Sequence, residues 1–349
     1  MCREKIKYFQ FNDWGFLPLS KLLSCKRPVC TLLIIILIFL FESCIENPIN
    51  DKDHVITPPV ISPLYFSYLA WHPTSNWIAV VHSDSVDTNN NGIDDDFFSG
   101  IWLIDAETGE KKPFLDLSVS WIAWSKDGYK LAIVIGGQIY TINIPGIDPI
   151  EIDTASLTQL TFEGGNFFPS FSPDGEWITY DSNKDSPTYD IWKMRVDGSE
   201  KEKIRDTTDW GGGRIPNWSF NNNQIVYQTF FMDRQAGEIA LMDTSGIIIL
   251  RLTKDELNDR HPRFSRSGEI IGFLSQPLNG PRAIRLINSD GTNVRRISPD
   301  WAYLFDFSPD GSKIAFVLNG PDSSVTGNGQ LWTMNTDGSN VFQLTDFKP

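Results

Sequence analysis

A four-strand pattern occupies residues 305–346 and occurs six times along this chain, and no other feature restricts its fold as much. In that last copy an aromatic strand closes at Phe307, and Ser308-Pro309-Asp310-Gly311 turns the chain. Pro presets φ, Asp caps the turn through its carboxylate, and Gly takes the positive φ that other residues resist. A strand over 313–318, a third over 331–335, the turn Thr336-Asp337-Gly338 and a fourth strand over 341–345 complete the unit. The closing aromatic recurs as Trp71, Trp124, Phe171, Trp218, Phe264 and Phe307, at spacings of 53, 47, 47, 46 and 43 residues. The turns behind these anchors read HPTSN, SKDGYK, SPDGEW, SFNNNQ, SRSGE and SPDGSK. The third strands read GIWLID, QIYTIN, DIWKMRVD, EIALMD, AIRLIN and QLWTMN. Six such units over residues 65–349 predict an all-β, six-bladed propeller of four-stranded antiparallel blades, in which radial repetition leaves short, protected edges.

A Leu-Thr pair closes the fourth strand at Leu160-Thr161, Leu252-Thr253 and Leu344-Thr345, with Ile297-Ser298 as a variant. With the aromatic-Ser-Pro-Asp-Gly turn, intact at 171–175 and 307–311, these units resemble the TolB-type propeller repeat, a WD40-like family. The resemblance covers 67–349 and implies the fold. It says little of function, since propellers host unrelated activities. The separate domain that precedes the propeller in that family is not expected here, since the segment 45–66 is too short to be one.

Residues 1–44 read differently. Lys21, Lys26 and Arg27 precede an uncharged run at 31–41, TLLIIILIFLF, whose eleven residues suit a signal-peptide core better than a bilayer span. Glu42-Ser43-Cys44 follows, and a small residue before cysteine at this place resembles a bacterial lipoprotein box, with Cys44 as the lipidated N-terminus. An uncleaved anchor and an ordinary cleaved signal are the alternatives. The four cysteines are Cys2, Cys25, Cys30 and Cys44, so the exported domain is expected to hold no disulfide. Residues 45–64 hold four prolines and read as an extended tether, whose end could add an edge strand to the ring. Localisation in a bacterial envelope, periplasmic or surface-exposed, is the expectation.

The chain carries −14 formal charges, and removing the basic leader leaves a domain near −17. Such a surface repels nucleic acid and anionic headgroups, which excludes nucleic-acid partners. Solubility alone also explains the acidity.

In the first unit, between its second and third strands, stands Asp87-Thr88-Asn89-Asn90-Asn91-Gly92-Ile93-Asp94-Asp95-Asp96. Oxygen side chains at alternate positions followed by Gly match the start of a calcium loop, since hard Ca²⁺ takes six to eight oxygens. Asp87, Asn89, Asn91 and Asp95 are the expected side-chain ligands, Ile93 offers its carbonyl, and Asp96 or Asp84 completes the shell. Phe98 stands where an EF-hand has its bidentate Glu, so the loop is closer to helix-free extracellular calcium repeats, with a structural role. The competing reading is a solvated Asn/Asp/Gly hairpin.

A propeller's inner strands begin beside the central axis, so the residues before the anchors converge at one channel mouth. Three places before each anchor stand Tyr68, Trp121, Phe168, Ile215, His261 and Leu304; four places before stand Ser67, Ser120, Phe167, Arg214, Arg260 and Tyr303. Two arginines at equivalent places in adjacent blades suit a carboxylate fork. The expected site is a pocket for a small anion or peptide terminus, built from Arg214, Arg260, His261, Trp210, Phe167 and Tyr303. Against it, Asp209, Asp259 or Asp306 are at hand to neutralise both arginines.

Catalytic motifs are missing: HExxH, GxSxG and a phosphate-cradling Gly-rich loop do not occur. The propeller's histidines, His72, His82 and His261, fall at different repeat positions, which argues against a histidine-rich metal centre. Four residues follow the last Leu-Thr, so no peptidase domain is expected behind the propeller. The reading is a monomeric, lipid-tethered binding module for an envelope protein or small ligand. The alternative is a glycan-active lyase or hydrolase working at the channel mouth.

Overall fold

The computed structural model describes residues 8–9, 17–18, 66, 68–86, 96–147, 152, 154–205, 213–221, 223–230, 236–318 and 329–345. The chain divides into two units, Met1–Val60 and Ile61–Pro349. In the first, Tyr8–Phe9 pairs antiparallel with Leu17–Pro18. Cys44, expected to be lipidated, and the expected tether 45–64 lie outside the described residues.

The second unit is the expected six-bladed propeller. Each of its six sheets has four strands that are consecutive in sequence and pair in sequence order. The inner strands are Tyr68–Trp71, Trp121–Trp124, Asn166–Phe171, Gly213–Trp218, Asn258–Phe264 and Ala302–Phe307, and each ends on its predicted anchor. Five anchors are buried, while Trp124 is partly buried and packs edge-on against His72 at 4.7 Å. Apolar side chains of facing sheets form the core between neighbouring blades, as where Phe171 and Ile178 meet Ala132 and Leu160. Burial of each such side chain contributes about 1.5–3 kcal/mol.

Three devices repeat with the blades. In the anchor turns, the Ser125 and Ser308 hydroxyls donate to Asp127 and Asp310, both at 2.6 Å. Each serine oxygen also accepts the N–H that starts the next strand, from Lys130 and Lys313 at 2.9 Å. At the fourth strand, the hydroxyl of the Leu-Thr pair accepts a third-strand N–H: Ile139 on Thr161, Ile239 on Thr253, Ile284 on Ser298 and Leu331 on Thr345, at 2.7–3.0 Å. The leucine or isoleucine before it is buried. The glycine turns between the third and fourth strands also touch the neighbouring blade. A side chain at Gly246 would land on the Ile204 carbonyl, and Gly109 and Gly338 meet the Leu344 and Ile297 carbonyls in the same way.

The third device stitches inner strands around the axis. The residue before an anchor accepts the anchor N–H of the next blade: Trp218 N–H on Ser170 Oγ at 3.0 Å, Phe264 N–H on Asn217 Oδ1 at 2.8 Å. Trp71 N–H on Asp306 Oδ2 at 2.9 Å joins the last blade to the first.

Candidate functional site

Inner strands of the third to sixth blades break register at one place, between Phe167 and Ser170, Arg214 and Asn217, Arg260 and Arg263, and Ala302 and Phe305. In three of them the residue inside the break is left-handed and precedes proline: Phe168 at φ 54°, Ile215 at 55° and His261 at 52°. Positive φ is rare for a residue with a side chain and an outlier for β-branched isoleucine. Strain repeated at one level of a channel marks a site held by its surroundings.

An aromatic wall and a cationic wall meet there. Trp121 packs edge-on against Phe167 at 4.9 Å and tilted against Phe168 at 4.7 Å, and Phe167 lies 5.8 Å from Tyr189. Arg214 lies 4.1 Å over the Tyr189 ring and donates from Nε to Asp181 Oδ2 at 3.1 Å. Arg260 donates to Gln276 Oε1 at 3.3 Å, and Arg282 lies 5.0 Å from the Tyr303 ring. His261 stands 5.7 Å from Phe168 with Nδ1 buried and unbonded among the described residues.

Electrostatics follow from burial. Desolvation, then the positive charge of Arg282, Arg260 and Arg214, lowers His261 to about 3, so its imidazole is neutral at physiological pH. Burial also lowers Arg260 and Arg282, and the two repel each other. Asp181 is fully buried, and burial pushes its carboxyl up to about 7 against the pull of Arg214 and of the Ile215 and Phe167 N–H groups. Asp259, also fully buried, reaches about 7, chiefly through burial, with the Ser275 hydroxyl opposing and Asp255 adding to the rise. Buried carboxyls that titrate near neutrality are candidates for functional groups.

The structure thus gathers Arg214, Arg260, His261, Phe167 and Tyr303 at one mouth. Trp210 lies outside the described residues, as do Asp87, Asn89, Asn91, Ile93 and Asp95; Asp96 opens the strand Asp96–Asp105, with its backbone paired to Val86. The partner of Arg214 is Asp181, and not one of the three aspartates named from sequence; Asp306 lies at the far end, on Trp71. Sequence reasoning missed Arg282, Tyr189 and Asp181. Arg282 stands just ahead of the third strand Ala283–Asn288, where counting back from anchors does not reach.

No family model matches this chain. Over 140 residues it is 32% identical to Atu1656, an uncharacterised protein of Agrobacterium fabrum, covering 39% of this chain and 44% of that protein. Its fold is similar to that of TolB from Acinetobacter baumannii, with a TM-score of 0.57, 20% identity, and coverage of 70% of this chain and 58% of that one. It is also similar to oligogalacturonate lyase from Vibrio parahaemolyticus, with a TM-score of 0.52, 12% identity, and coverage of 80% and 77%. The chain therefore spans under half of its curated relative and somewhat over half of the TolB chain. At these identities the structures share a fold. A single fold here serves a TolB protein and a lyase, so the choice between binding and catalysis rests on the site.

Proposed function

We propose that this protein is a non-enzymatic binding module of a bacterial envelope, tethered by lipid at Cys44, that captures a carboxylate-bearing ligand at the strand-start mouth of its channel. The observation that carries this reading is the convergence of Arg214, Arg260 and Arg282 on a neutral His261, with Asp181 pairing Arg214 alone. Arg260 and Arg282 have no carboxylate partner among the described residues. Planar guanidinium groups suit a bidentate carboxylate, and Trp121, Phe167 and Tyr189 supply an apolar flank for the rest of a small or peptide ligand.

Calorimetry with succinate and with a tripeptide carrying a free C-terminus tests it, the amidated tripeptide serving as control. Arg260→Ala with Arg214→Ala should weaken binding at least tenfold while the protein stays folded, the loss expected when charge-assisted hydrogen bonds go. Equal binding by the double variant removes the pocket. Membrane tethering is read separately, since Cys44→Ala should release the protein from membranes.

One observation favours a second reading, a glycan-active enzyme. Asp181 and Asp259 both titrate near 7, the range that suits a general acid or base, and Arg260 and Arg282 at the same mouth suit a uronate carboxylate. Formation of an unsaturated sugar from oligogalacturonate, abolished by Asp181→Asn, would select it. We also propose that Ca²⁺ stiffens the loop 87–95, which joins the ten-residue strands Trp77–Val86 and Asp96–Asp105.

A further inference from the structure

The opposite end of the channel, where the inner strands run into their turns, holds a second group of cations. The stitching rule described above puts a hydrogen-bond acceptor before the anchor: Ser170, Asn217 and Asp306 obey it. The first two blades have Ala70 and Ala123 there, which do not stitch, and in the fifth blade that place is Arg263, the one cation among the six and without an acceptor atom. Phe307 N–H turns instead to Asp306 Oδ1 of its own blade, at 3.0 Å. A cation in an acceptor's slot breaks a local rule with no gain in stitching, as functional positions do.

Two more cations join it. Lys126 Nζ sits 3.5 Å from the centre of the Phe220 ring, and the Arg266 guanidinium carbon sits 3.9 Å from the same centre. Arg263, Arg266, Lys126, Asn217 and Asp306 line one cavity of about 50 Å³. That is room for a few waters or one small ion, not for a sugar or a peptide. Among the described residues none of the three cations forms an ion pair. Asp306 spends its oxygens on the N–H groups of Trp71 and Phe307. With Lys126 protonated, three cations against one carboxylate leave two positive charges around the cavity; with the amine neutral one remains, in a chain of net −14. Partly desolvated like charges are costly unless paired.

We propose that this turn-end cavity is a binding site for a phosphate- or sulfate-type dianion, held by Lys126, Arg263 and Arg266. The two excess positive charges match a dianion, and the guanidinium forks and the ammonium supply its donors. Without the ion, burial and the charge of Arg266 lower the Lys126 amine to about 6, with Asp174 pulling the other way. His72, which also faces Arg266, is lowered to about 4, first by burial, and stays neutral. A bound dianion restores the lysine's proton, so binding at neutral pH takes up a proton. On the inner strand Asn258–Phe264, Arg263 stands three residues beyond Arg260 of the strand-start mouth, roughly 10 Å at about 3.3 Å each.

Calorimetry with inorganic phosphate on the full chain, run in two buffers of different ionisation enthalpy, is the test. One-to-one binding with proton uptake at pH 7.5, weakened at least tenfold in Lys126→Met and in Arg266→Met but unchanged in Arg260→Ala, is the expected result. Methionine keeps a long, flexible side chain beside Phe220 without the charge, and circular dichroism checks the fold of both variants. Glycerol phosphate as a second probe separates a free ion, which alone fits the cavity, from the end of a larger molecule, which would bind as well or better. Absence of saturable binding at millimolar phosphate overturns the proposal. So does binding that survives Lys126→Met/Arg266→Met or is lost with Arg260→Ala.

Discussion

Thr161 shows what one hydroxyl does in this ring. Its oxygen accepts the N–H of Ile139, a residue with no exposed surface, and no water can replace it there. Thr161→Val keeps the shape and strands that N–H, so unfolding in urea should show a loss of about 1–3 kcal/mol. The recurrence of Leu-Thr was visible in the sequence; the bond it makes across the sheet was not, because the partner stands 22 residues away. Asp181 gives a pH prediction. Its folded value, about 7, lies above that of an unfolded aspartate, near 3.9, so the folded state holds the proton more tightly between those values. This carboxyl therefore favours the fold most below about pH 4, and its contribution falls as pH rises to 7. Asp181→Asn should flatten the decline of melting temperature over that interval, and an unchanged profile would place the titration elsewhere, Asp259 first.

At the scale of strands and turns, glycines of similar backbone geometry have unequal jobs. Gly246 and Gly311 both close turns at positive φ, 88° and 72°. Around Gly311 there is open space, so Gly311→Ala pays only for a left-handed alanine, about 1–2 kcal/mol. Gly246→Ala drives its methyl into the Ile204 carbonyl of the neighbouring blade and should cost clearly more, measured as the difference in denaturation midpoints. Repeat spacing located every inner strand, because the anchors that end them are local signals. The register break at Phe168, Ile215 and His261 was not legible: a residue before proline ordinarily extends, and only packing around the axis holds these three left-handed. The loop 87–95 yields a prediction at this scale too. Millimolar calcium should raise the melting temperature above that in EGTA, and equal values would leave the loop a plain hairpin.

For the whole molecule, the sequence announced six blades and one converging mouth. It could not show which cations gather there, since Arg282 and Arg214 stand 68 residues apart, on different blades. The opposite cluster was missed for the same reason: Lys126, Arg263 and Arg266 come from two blades that are not neighbours in the chain. Their acidic surroundings in composition hide them, because a net charge averages over the surface what a channel separates. Asp306→Ala tests the ring as a unit. It removes the bond to Trp71 N–H and should lower stability by about 1–3 kcal/mol.

Since every blade is made from its own four consecutive strands, nearly all strand pairing here is local, and the contact between Asp306 and Trp71 bridges 235 residues. Closing so long a loop costs roughly 5 kcal/mol of chain entropy. Blades should form early, with the last-to-first contact arriving after the rate-limiting step. Asp306→Ala would then hasten unfolding and leave the folding rate nearly untouched, as expected of an interaction absent from the transition state. The ring would assemble as six quick local events and one late handshake.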